Sequence, residues 1–198
     1  MESSDWLVQE CTIFALGAIS SGCSFFMNEQ MPAIYAYLLR ILQSTANPLL
    51  FSIASWSLCQ YMEWLLESLS AEEINSLVDL MLKGMNQENR KVQLAAVVFF
   101  SSIVTNGEGK LGAEYFDAIL QNACRCFEFY CEWNQRALLS LISDVCIVLV
   151  DSPVVDINQY ASMLLPPIIA KWKLLDDLDE GMLAVLETLY YLISVCGE

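Results

Sequence analysis

Apolar residues recur every three or four positions along almost the whole chain, which is the period of a helix with one buried face. The third segment shows it most clearly: Leu50, Ala54, Leu58, Tyr61 and Leu65 fall within about 80° of one another on a helical wheel. The pattern predicts nine helical segments, over roughly 5–23, 29–45, 47–67, 71–86, 89–106, 112–130, 133–151, 156–173 and 179–196. The breaks carry helix punctuation. Ser70 with Glu73 three residues later is a capping-box pattern. Asn47 before Pro48 places a cap residue ahead of a first-turn proline. Asn106 and Gly107 close the fifth segment, and Pro153 follows shortly after the end of the seventh at Asp151. Glu72 and Glu73, and later Asp176, Asp177 and Glu180, stand at helix starts, where the helix dipole suits them.

A longer period lies over the helical one. Every second segment opens alike, at Asp5, Asn47, Asn89 and Asn134, and each opening runs into an apolar helix. The first three openings are 42 residues apart and the last interval is about 45. Two helices per unit at a period of about 40–47 residues is the signature of HEAT or armadillo arrays. The fold expected is all-α: a right-handed α-solenoid of about four HEAT hairpins, preceded by an unpaired N-terminal helix, in a single array over residues 1–198. Terminal repeats of such arrays carry polar outer faces. Neither end of this chain has one, so the expectation is a piece of a longer solenoid.

Composition narrows the work such a fold can do. Hydrophobic residues are 56% of the chain and charged residues 17%, ample for a core, and 8 Gly with 5 Pro are few for a β-fold of this size. With 24 acids against 9 bases the net charge is −15, which opposes a nucleic-acid partner and suits either a basic partner or solubility alone. The chain has no histidine, which removes Ser-His and Cys-His catalysis. No glycine-rich phosphate loop or cofactor motif is present, so no enzyme activity and no cofactor are expected. Cys11, Cys59 and Cys146 lie inside apolar helical patterns and read as small hydrophobes. Cys124, Cys126 and Cys131 lack a CxxC pair and make a poor zinc site, so no metal is expected. The apolar run 92–104 contains Gln93, Ser101 and Ser102 and is too short to cross a bilayer, so no membrane association is expected.

The stretch WSLCQYMEW, 56–64, sets two tryptophans eight residues apart. On one unbroken helix they point about 80° apart. Trp56 falls nearly opposite the core seam, and Trp64 about 80° from its centre. The pattern alone leaves Trp64 open between a packing residue and a surface anchor for a partner. Asp144 interrupts an apolar run, where an acid must be exposed or paired, and a local hydrogen bond or ion pair fits it as well as a ligand does. Asp151 follows two turns later on the same face, and also reads as a solvated helix end. The aromatic turn from Phe127 to Trp133 is expected to pack against a neighbouring hairpin.

Four stretches stand in order across the chain: LGAISSGC at 16–23, WSLCQYMEW at 56–64, NRKVQ at 89–93 and LPPIIAKW at 165–172. Together they resemble the transportins, karyopherin-β import receptors whose cargoes carry basic or PY-type nuclear localisation signals. The resemblance implies that second helices line a concave surface on which the signal peptide lies extended. It implies that Trp64 touches the cargo while Trp56 is fixed between stacked repeats. It further implies that Asp144 and Asp151, spaced like two acids of the family, meet basic signal residues. A shuttling receptor of cytoplasm and nucleus follows from the same likeness. Its Ran GTPase and nucleoporin contacts would lie mainly outside this stretch. There are departures: Ser21 replaces an acid, and a run of three Glu in the family aligns with Val104, Thr105 and Asn106, the nearest acid being Glu108. The rival reading is a HEAT scaffold that assembles another complex through its inter-helix turns.

Overall fold

A computed structural model describes residues 6–20, 22, 27–107, 111–151, 155–175, 179 and 181–196, apart from the side chain of Asp151. The described residues form helices and connections, with no strand among them. The chain divides into two compact units, Met1–Ile103 and Val104–Glu198.

The first unit holds α1 (Trp6–Ala18), α2 (Met31–Ser44), α3 (Pro48–Cys59), α4 (Met62–Ser68), α5 (Ala71–Met85) and α6 (Arg90–Asn106), the last of which runs just past the unit's boundary. Its hub is α3, which packs on both α1 and α2. The Ser52 hydroxyl donates to the Lys91 carbonyl at 3.2 Å and the Ser55 hydroxyl to the Ala95 carbonyl at 3.2 Å, which ties α3 to α6 as well. Residues one repeat apart therefore meet side by side, as stacked second helices require. The caps form where the sequence places them. Asn47 Oδ1 accepts from the Leu49 N–H, and Ser70 and Glu73 close a reciprocal capping box.

The second unit holds α7 (Ala113–Cys126), α8 (Glu132–Asp151), α9 (Asn158–Trp172) and α10 (Gly181–Cys196). Here α7 packs on α8 and α9, and α10 on α8 and α9. Contacts again join residues one repeat apart. Tyr160 donates to Asp117 at 2.6 Å, Arg136 to Asp179 at 3.1 Å, and the hydroxyls of Ser143 and Thr188 lie 3.0 Å apart. The all-α repeat class read from the sequence stands, and it does so through spacings the period itself dictates.

Four expectations need correction. The segment 47–67 is not one helix. At Gln60 and Tyr61 the N–H groups reach back three residues, to Ser57 and Leu58, and Tyr61 leaves helical geometry at φ −116°, ψ 22°. At this break the Tyr61 hydroxyl donates to the Leu16 carbonyl of α1. The seam survives the break, with Leu50, Ala54, Leu58, Tyr61 and Leu65 all buried. The aromatic turn is split rather than packed: Phe127 and Tyr130 are buried, while Phe129 is 50% and Trp133 65% exposed. Cys11 is exposed, unlike buried Cys146 and half-buried Cys59. Finally, the stretch Glu132–Val150 of α8 is apolar and long enough to cross a bilayer, longer than the run 92–104. Leu138, Leu141, Ile142 and Val145 are fully buried in the protein, as in the core helix of a helical stack.

Asp179 does more than begin a helix: its carboxylate accepts from the Gly181 N–H at 2.7 Å and from Arg136. Asp176, Asp177, Glu180 and Glu108 lie outside the described residues. Pro166 and Pro167 sit inside α9 without ending it. The carbonyls their rings leave without a helical donor belong to Ser162 and Met163, both on the exposed side where water reaches them.

Candidate functional site

The break at Tyr61 decides where the two tryptophans go. Trp56 stays on α3 and turns to α1, where its ring stacks on Phe14 at 5.4 Å and 18°. Gly17 makes that seat: a Cβ there would collide with the Trp56 indole. Both rings are partly open to solvent, Phe14 at 55% exposure. Trp64 belongs to α4, beyond the break, and is no longer tied to the wheel position of Trp56. It is half-buried, with its ring 6.3 Å from that of Tyr35 on α2 at a tilt of 50°. Burial, and secondarily the charge on Glu73, push the Tyr35 phenol above its usual pKa, so it stays neutral behind Trp64.

Trp64 also faces an open groove of about 550 Å³. Met31 and Tyr61, both buried, line it, as do Ser20 and Asn28. Glu63 and Glu67, both exposed, complete the wall that carries Trp64. The groove is thus mixed, an aromatic face beside two carboxylates. Sequence reasoning missed Met31, Glu63 and Glu67. Helical spacing sets Glu63, Trp64 and Glu67 on one side of α4, but the sequence does not show which cavity that side meets.

Asp144 lies in the second unit, half-buried on α8, and it is engaged rather than unpartnered. Asp151 ends the same helix, and its side chain lies outside the described residues. Because α8 is unbroken from Glu132 to Asp151, the two-turn register between the two positions holds in the backbone. Of the three positions aligned with the family's Glu run, Val104 is buried, and Thr105 and Asn106 are exposed.

Three of the thiols are disfavoured as nucleophiles. Burial pushes Cys59 and Cys124 up to about 11 and Cys146 to about 12, so thiolate is scarce at neutral pH.

No family model matches the chain. Importin subunit beta-2 of Schizosaccharomyces pombe is 30% identical over 196 residues, covering 96% of this chain and 21% of that protein. Human Transportin-1 is 31% identical over 187 residues, covering 93% of this chain and 20% of its own length. Transportin-1 of Oryza sativa is 27% identical over 198 residues, 97% of this chain and 22% of that protein. The chain spans about a fifth of the length of the curated relatives it matches. The likeness first carried by four short motifs therefore runs along nearly the whole sequence, and the chain is transportin-like.

Proposed function

We propose that this chain is a cargo-binding part of a nuclear import receptor, taking an extended basic or PY-type localisation signal on its second helices. One observation carries the reading: Trp64, the residue the family likeness selects, stands half-buried on the wall of an open groove. An aromatic wall of that kind supplies large contact area at small entropic cost, as binding anchors do. Asp144, with Asp151 two turns on, is the second element, an acidic position for Arg or Lys of the signal. The work is binding, without bond chemistry or cofactor. The whole receptor shuttles between cytoplasm and nucleus and meets Ran GTPase and nucleoporins mainly through regions beyond this stretch.

Fluorescence-anisotropy titration of a labelled basic PY-type peptide tests it. Affinity in the tens of micromolar, about −6 kcal/mol, is expected for a partial site, with a loss of about tenfold in Trp64→Ala. Trp56→Ala is the control, because it disrupts the partly exposed Phe14–Trp56 stack elsewhere in the same unit. If Trp56→Ala abolishes binding while Trp64→Ala does not, the site lies at the Phe14–Trp56 stack instead.

A second reading has an observation of its own. A HEAT scaffold binds through inter-helix turns, and the turn after α7 exposes Phe129, with Trp133 exposed in the first turn of α8. That reading predicts no dependence on Trp64 and a partner lost on Trp133→Ala.

A further inference from the structure

Serine hydroxyls inside the first unit mostly tie helices together, as Ser52 and Ser55 do with the carbonyls of Lys91 and Ala95. Two hydroxyls differ. That of Ser57 is fully enclosed with no hydrogen-bond partner among the described residues, where no ligand reaches it. That of Ser20, two residues after α1, also has no partner among the described residues. Ser20 is only 7% exposed, and the open space it borders is the groove that Trp64 faces.

A hydroxyl so placed sets a condition on any ligand. While the groove is open, water can satisfy it. A ligand that fills the groove displaces that water, and must then offer a donor or acceptor of its own or leave a buried polar group unpaired. The neighbouring neutral groups narrow the kind. Asn28 and Gln60 add carboxamides to the lining and Ser68 a further hydroxyl. The Gln60 amide N–H donates to the Trp56 carbonyl at 3.4 Å, which turns its Oε1 to acceptor duty. Neutral groups that donate and accept match a peptide main chain, whose N–H and C=O groups alternate along an extended strand. We infer that the Ser20 hydroxyl hydrogen-bonds a secondary main-chain amide of the peptide lying against Trp64, so that the groove holds its ligand by the backbone as well as by side chains. The inference rests on the proposed reading that a peptide occupies this groove. It gives a role to Ser20, which the family likeness leaves without one.

The test is a double-mutant cycle between protein and peptide, on the full chain. The probes are the labelled basic PY-type peptide and a set of analogues in which one secondary main-chain amide at a time becomes an ester. An ester removes the N–H and weakens the carbonyl as an acceptor, while every side chain stays. Wild type, Ser20→Ala and Trp64→Ala are titrated with each. Ser20→Ala is expected to bind the parent peptide about fivefold more weakly, with its thermal midpoint unchanged because the hydroxyl bonds nothing else among the described residues. One ester is expected to bind wild type about fivefold more weakly and to cost nothing further in Ser20→Ala, while every other ester costs the same in both. If Trp64→Ala weakens binding but every ester costs the same in wild type and in Ser20→Ala, the backbone contact is overturned and the groove reading stands. A loss of binding in Ser20→Ala that comes with a lowered midpoint and singles out no ester marks a structural residue, and overturns the inference as well. If wild type binds no peptide, or Trp64→Ala leaves binding unaltered, the groove reading falls and takes the Ser20 contact with it.

Discussion

Tyr61 shows how much one side chain decides here. Its ring fills the core seam of α3, and its hydroxyl bonds to the Leu16 carbonyl of α1. That bond lies at the break between α3 and α4, three residues before Trp64. Tyr61→Phe keeps the ring and removes the bond, leaving the Leu16 carbonyl short of a donor. The expected cost is about 1 kcal/mol, read as a lower denaturant midpoint at unchanged slope. An unchanged midpoint would mean that the ring alone fixes the break. At this scale the sequence was partly legible. The seam residues are all buried as their spacing implies, and Trp56 is held against α1 by Phe14 and Gly17. Glu63 and Glu67 were not legible as groove residues. Their spacing puts them on one side of α4 with Trp64, but the cavity that side meets is closed by Ser20, Asn28 and Met31, which are distant in sequence.

At the scale of elements, local chemistry was the reliable guide. Asn47 and Ser70 cap the helices they precede, because a side-chain acceptor beside unpaired N–H groups needs no tertiary help. The capping box also carries a pH signature. The Ser70 backbone N–H, then its hydroxyl, hold the Glu73 carboxyl below its ordinary value. A carboxyl depressed in the folded state stabilises above its unfolded pKa, about 4.3, and that contribution fades as pH falls through the folded value. Glu73→Gln should therefore lower the thermal midpoint at neutral pH, with a deficit that shrinks on acidification below about pH 4.3. A deficit constant with pH would deny the carboxylate its part. Where elements were misread, long-range contacts were responsible: Tyr61 divides 47–67, and the turn after α7 buries only two of its aromatics.

At the scale of the molecule, the period was the informative quantity. Openings 42 to 45 residues apart become contacts 39 to 45 residues apart, from Ser52 with Lys91 to Ser143 with Thr188. A stack of this kind presents helix faces side by side. What it offers is surface: an acidic chain with one aromatic groove in its first unit and Asp144 in its second. The central claim is that a peptide lies against Trp64. Incorporating 5-fluorotryptophan gives one ¹⁹F resonance for each of the five tryptophans, assigned by single Trp→Phe replacements. Titration with the basic PY-type peptide should move the Trp64 resonance in proportion to saturation, while those of Trp6, Trp133 and Trp172 stay in place. A Trp64 signal that stays fixed while the peptide binds, or while the Trp56 or Trp133 signal moves instead, would contradict the account.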